Sequence, residues 1–120
     1  MFLEHFQRYQ EFQNVPLLGI DYGTQVVGLA TYCPGRDPFP LPYGRLIYRS
    51  DQQIIQELLP LIEEETVETI VLGLPLHTDG SESDMSRRVK AFGELLQKRL
   101  TTNEQKPFPL YYQDETLTSY

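Results

Sequence analysis

Three acidic residues stand at the ends of apolar runs: Asp21 after LLGI, and the pair Asp114-Glu115 after FPLYYQ. A carboxylate is costly to bury without partners. At a strand end facing a cleft, two or three of them instead suit a hard cation. Magnesium and manganese take oxygen ligands. With one cysteine and two histidines in the chain, no Cys/His cluster of the structural zinc type is available. Gly23, two residues past Asp21, permits a sharp turn and close approach of a phosphate, and equally suits an ordinary turn. Gly80, Ser81, Arg87 and Arg88 lie at the start of a predicted helix. Free backbone N–H groups and guanidinium groups there favour a phosphate, while a solvated face is the plainer use of the arginines. Asp79 is a more distant acid. His77 reads as a polar loop residue, and Cys33 as a small buried hydrophobe rather than a nucleophile.

The elements that position these residues follow from periodicity. The sequence predicts strands near residues 17–22, 25–32, 44–49, 68–74 and 109–113, and helices near 51–65 and 83–100. The Gly23 connection is too short for a crossover, so the first two strands pair antiparallel. The proline-rich stretch from Cys33 to Pro42 reads as an extended loop. Ile54, Leu58, Leu61 and Ile62 form a core-facing helical stripe, opened by capping-box spacing at Ser50 and Gln53. Pro60 predicts a kink or break, because it removes the bond to the Gln56 carbonyl. Ser81 and Asp84 give the same capping spacing to the second helix, whose stripe is Met85, Val89, Phe92, Leu96 and Leu100. Helix followed by buried strand marks an α/β protein. In an open α/β sheet ligands gather at the carboxyl ends of strands, so Asp21, residues 75–80 and Asp114-Glu115 share one rim.

At 120 residues the chain suits one domain. Residues 1–16 read as an N-terminal extension, with Phe2, Phe6 and Tyr9 at helical spacing, and residues 17–120 as the domain. No apolar run approaches the ~18 residues of a membrane span, and MFLEHFQRYQ lacks the long apolar region of a signal peptide. A lone cysteine suits a reducing, cytoplasmic home. The net charge of -7 argues against a large nonspecific nucleic-acid surface but leaves room for a small basic patch. The sequence stops just as Leu117-Thr118-Ser119 begins what reads as another element. The expectation is a sheet lacking a covering helix, with self-association through the apolar surface so exposed.

The ordered set DYG–VVGLA, VLGLPLHTDGSES, the RRVKAF run and DETLTS resembles the YqgF family, whose members are described as Holliday-junction resolvases or pre-16S rRNA nucleases. The likeness covers Leu17 to Ser119. It implies a ribonuclease-H-like α/β fold, a mixed five-stranded sheet with flanking helices, whose C-terminal helix this chain lacks. It also implies a cytoplasmic nuclease dependent on Mg²⁺ or Mn²⁺, acting at the 5′ end of pre-16S rRNA or on branched DNA. Asp21 matches the family's first-strand acid, Asp114 and Glu115 its acidic pair, and Arg88 lies in its arginine-bearing helix. Gln25 and Thr116 stand where the family usually has basic residues, and the last acidic ligand is absent. These departures favour, as the alternative, a nucleic-acid or ribosome-precursor binding domain without chemistry.

Overall fold

One sheet carries the whole molecule. The computed structural model describes residues 15–38, 41–76, 79, 81–102 and 105–116, with Leu76 and residues 114–116 by backbone alone. In chain order the elements are β1 (Leu17–Asp21), β2 (Val26–Tyr32), β3 (Leu41–Ile47), α1 (Asp51–Glu64), β4 (Thr69–Leu76), α2 (Asp84–Leu100) and β5 (Leu110–Thr116). The five strands lie in the order β3-β2-β1-β4-β5. β1, β2 and β3 form an antiparallel meander, and β4 and β5 add in parallel beside β1. The sheet is therefore mixed, as the family resemblance implies, and the first and fourth strands share it as neighbours. Residues 1–14 of the N-terminal extension, with their aromatic side chains at helical spacing, lie outside the described residues.

Alternation along the strands separates two faces. Leu18 and Ile20 of β1, Val27 and Leu29 of β2, and Ile70, Leu72 and Leu74 of β4 meet the helices. There they pack against Ile54, Ile55, Leu58 and Ile62 of α1 and Val89, Phe92 and Leu96 of α2. Each such aliphatic or aromatic side chain contributes about 1.5–3 kcal/mol on burial, so this layer dominates the fold's stability. On the opposite face Leu17, Ala30, Tyr32 and Val71 are buried near the start of β1. Toward the rim that face opens, and Val26 and Ile47 are exposed.

Four local expectations need correction. The third strand begins at Leu41 rather than Gly44. Pro42 lies within it because β3 is an edge strand, where a missing N–H costs no ladder bond. α1 runs from Asp51 to Glu64 without a break at Pro60. Pro60 and Gln56 both lie on the exposed side, where the freed carbonyl is open to solvent instead of being buried unpaired. The second helix takes its cap from Ser83, not Ser81: Ser83 and Ser86 form the reciprocal capping box. The Ser83 hydroxyl also donates to the Pro75 carbonyl at 2.7 Å, fastening the helix start to the end of β4. Lastly, β5 continues to Thr116, so Asp114 and Glu115 belong to the strand instead of following it.

The α1 C-terminus closes as a Schellman turn, with Val67 N–H donating to Ile62 O and Thr66 N–H to Glu63 O. Thr66 occupies its left-handed position at φ 51. A β-branched residue is strained there.

Candidate functional site at the carboxyl rim of the sheet

β1, β4 and β5 are parallel, so their carboxyl ends meet at one rim, and β3 ends at that rim too because two antiparallel steps restore its direction. The register fixes the neighbours of Asp21. Gly28 of β2 lies opposite it. One step past the Ile20–Leu72 pair, Gly73 of β4 lies on its other side, and Gly73 pairs with Gln113 of β5. Arg45 of β3 pairs with Gly28. The row across the sheet thus reads Arg45–Gly28–Asp21–Gly73–Gln113. The two glycines leave the sheet face bare on both sides of the carboxylate. A Cβ at Gly28 would stand 3.6 Å from the Asp21 Cβ. In β5, Asp114 pairs with Leu74 and Glu115 with Pro75. Strand alternation puts Glu115 in the same set as Asp21 and Gln113, and Asp114 in the opposite set.

Asp21 is exposed at the strand end, yet the packed sheet around its base desolvates the carboxyl and raises its pKa above the ordinary 3.8. No described residue hydrogen-bonds or ion-pairs with it. Gln113 is buried, and its Oε1 is a buried acceptor without a hydrogen-bond partner. Among the described residues no three His, Cys, Asp or Glu side chains converge. The rim's donors are oxygen atoms: one carboxylate and one unpartnered amide oxygen in the same row, with two further acids in the adjoining β5 backbone. That donor chemistry fits a hard divalent ion and not zinc.

Beside Asp21, on the helix face, lies a polar cluster. Tyr22 Oη donates to Asp51 Oδ1 at 2.5 Å, and Tyr48 Oη donates to the same oxygen at 2.9 Å. Arg88 Nη2 donates to both phenol oxygens at 3.4 Å. Its guanidinium carbon lies 5.8 Å from each ring centroid, within cation–π range. The Tyr22 ring packs on Phe92 at 4.9 Å, which anchors the cluster in the core. Burial, then the bond to Asp51, raises the Tyr22 phenol above its ordinary value. The neighbouring phenols raise Arg88. Arg88 itself is exposed, and its Nε and Nη1 have no partner among the described residues, so they remain available to a phosphate.

The other residues singled out in the sequence fare differently. Adding a Cβ at Gly23 would bring it to 2.3 Å from the Val26 carbonyl oxygen, so the β1–β2 turn itself requires glycine. Ser81 does not start the helix; its N–H and hydroxyl both donate to Asp79 Oδ1, at 2.9 and 2.6 Å. Arg87 forms ion pairs with Asp84 and Glu82 on the surface. The helix-start donors of Ser83 and Ser86 are taken by their own capping box. Of the phosphate candidates, Arg88 alone joins the rim with donors to spare among the described residues. Gly80 and His77 lie outside the described residues. Tyr48, Asp51, Gly28 and Gln113 were not singled out from sequence, and only pairing register and long-range contact bring them to the rim.

A family model described as "RuvX: Holliday junction resolvase" matches residues 15–120. A relative from Nitratidesulfovibrio vulgaris named "Putative pre-16S rRNA nuclease" is 37% identical over 103 residues, covering 86% of this chain and 68% of its own length. One of the same name from Rickettsia felis is 33% identical over 106 residues, covering 88% and 64%. Among solved structures, a Bacteroides thetaiotaomicron protein with an actin-like ATPase fold and unknown function superposes with a TM-score of 0.54 at 13% identity. It covers 93% of this chain and 37% of its own. Archaeoglobus fulgidus Pelota superposes with a TM-score of 0.55 at 12% identity, covering 94% and 31%. These two likenesses concern the fold.

Proposed function

The chain belongs to the RuvX Holliday junction resolvase family, and from that membership we propose that it hydrolyses phosphodiester bonds in nucleic acid, with a 16S rRNA precursor as substrate. The observation that carries the proposal is the placement of Asp21 on the shared rim of β1, β4 and β5, between two glycines, with the next residue, Tyr22, bound to Arg88. Asp21 and Glu115, which share one set of the strand alternation, would hold Mg²⁺ or Mn²⁺, which would supply an activated water and positive charge at the leaving oxygen, while Asp114 lies in the opposite set. Gln113 adds a neutral oxygen in the same row. The raised pKa of Asp21 marks a carboxylate whose charge is poorly solvated and gains from a cation. Arg88 binds a non-bridging phosphate oxygen through its free guanidinium edge. Tyr22, Tyr48 and Asp51 hold that guanidinium in place. Gly28 and Gly73 keep the floor low enough for a phosphate to approach the carboxylate.

The test compares a structured RNA bearing the 5′ flank of 16S rRNA with a four-way DNA junction, each with Mg²⁺ and with chelator. The expected result is a Mg²⁺-dependent RNA product that disappears in Asp21→Asn while the circular dichroism spectrum is retained. Cleavage of the junction alone would transfer the substrate to DNA. Binding of either nucleic acid without any metal-dependent product would support the binding-domain alternative, which Gln25 and Thr116 motivate.

A further inference from the structure

Ten lysines and arginines serve a chain of net charge -7, so cations are scarce. Several of the described ones are neutralised: Arg36 by Asp37 and Glu65, Arg87 by Glu82 and Asp84, and Lys90 by Glu82. Arg45 and Arg49 form no ion pair among the described residues. Both line a cavity of about 450 Å³ at the outer edge of β3, together with Leu46, Ile47, Gln53 and Glu57. Gln53 builds the wall of that cavity. Its Oε1 accepts from Arg49 N–H at 2.8 Å and Ser50 N–H at 3.2 Å, while its Nε2 donates to Ile47 O at 3.0 Å and to Glu57. The backbone carrying Arg49 is thereby fixed, and the one acid in the lining already has a partner.

Charges on an edge strand also guard against unwanted pairing. Position argues for more than that. Arg45 shares the row and face of Asp21, with only Gly28 between them. Two strand spacings of ~4.8 Å separate the residues by about 10 Å. Measured along the axis of a nucleic-acid helix, at about 3.4 Å per nucleotide of one strand, that is about three nucleotides.

Resting on the nuclease reading above, we propose that Arg45 and Arg49 form a second phosphodiester-binding subsite on the edge strand, which holds the nucleic-acid backbone a few nucleotides from the Asp21 rim. The ligand is the phosphate backbone, in RNA or DNA. Fluorescence anisotropy of the whole chain, in chelator, with an RNA hairpin and a DNA junction over a range of salt concentrations tests it. Each lost phosphate contact lowers the log–log salt slope by about 0.7–0.9, which at 0.1 M salt weakens binding about sixfold per arginine and about fortyfold for both. Arg45→Gln/Arg49→Gln should show that loss on whichever probe binds, with an unchanged thermal midpoint. Arg99→Gln removes the same charge at the far end of α2 and should leave the slope unaltered. A slope unchanged in the double variant, with the parent chain binding normally, overturns the subsite and leaves the nuclease reading standing. An equal loss in Arg99→Gln also overturns it, since it reveals a general charge effect. Failure of the parent chain to bind either probe overturns both.

Discussion

Removing the Tyr22 hydroxyl tests how the rim is held together. Tyr22→Phe keeps the ring, and with it the packing on Phe92 and one of the two rings facing Arg88. It deletes a donor to Asp51 and an acceptor for Arg88. Hydrogen bonds to charged groups contribute about 1.5–3 kcal/mol. Tyr48 still donates to Asp51 Oδ1, and Asp51 is half-buried, so water replaces part of the loss. The lower end applies, about 1.5 kcal/mol, which for a domain of this size lowers the Tm by about 6 °C. The contribution has a defined pH window. The folded-state phenol pKa lies above the ordinary 10.0, so the stabilisation is complete below that value and is lost as pH rises through the folded pKa. Urea denaturation of Tyr22→Phe, Tyr48→Phe and the double variant measures it. Because both phenols share one carboxylate oxygen and one guanidinium, the two losses should be non-additive by at least about 0.5 kcal/mol. An unchanged midpoint in Tyr22→Phe, or strict additivity, would refute the shared-anchor reasoning.

Other perturbations probe the scaffold. Thr66→Gly relieves the left-handed strain at the end of α1 and should raise stability by about 1 kcal/mol in thermal melts. Gly93→Ala should destabilise, because its Cβ would meet Tyr112 Oη at 2.5 Å and Leu72 Cδ1 at 2.8 Å. Overpacking of about 1–3 kcal/mol outweighs the roughly 1 kcal/mol gain in helix propensity. Asp37 is held below its ordinary 3.8 chiefly by Arg36, with a further bond from the Cys33 N–H. Its stabilisation is present above 3.8 and disappears as pH falls through the lower folded value, so Asp37→Asn should lose stability at neutral pH and converge with the parent in acid.

Much of the architecture was legible because it rests on local periodicity. The α1 and α2 stripes and the apolar runs of β1, β2 and β4 announce themselves within a few residues. The boundaries that shifted depend on tertiary position. Pro42 reads as a loop residue unless β3 is known to be an edge, and the apolar run of β5 ends before its backbone pairing does. Ser81, Ser83 and Ser86 offer competing helix starts, and the bond from Ser83 to the Pro75 carbonyl decides between them. The candidate site divides in the same way. Asp21 stands out from its place at a strand end and its match to the family motif. Gly28, Gln113 and Arg45 join it through pairing register alone. Tyr22 binds Asp51 across 29 residues and Arg88 across 66, separations that leave no periodic trace in a sequence.

In the proposed function Asp21 anchors a hard divalent ion at the rim. Electron paramagnetic resonance of Mn²⁺ titrated into the chain, into Asp21→Asn and into Glu115→Gln, measures it most directly. The expected result is saturable binding by the parent chain that Mg²⁺ displaces, a loss of about tenfold or more in Asp21→Asn, and weakened binding in Glu115→Gln. Equal Mn²⁺ affinity in the parent chain and a correctly folded Asp21→Asn would contradict it.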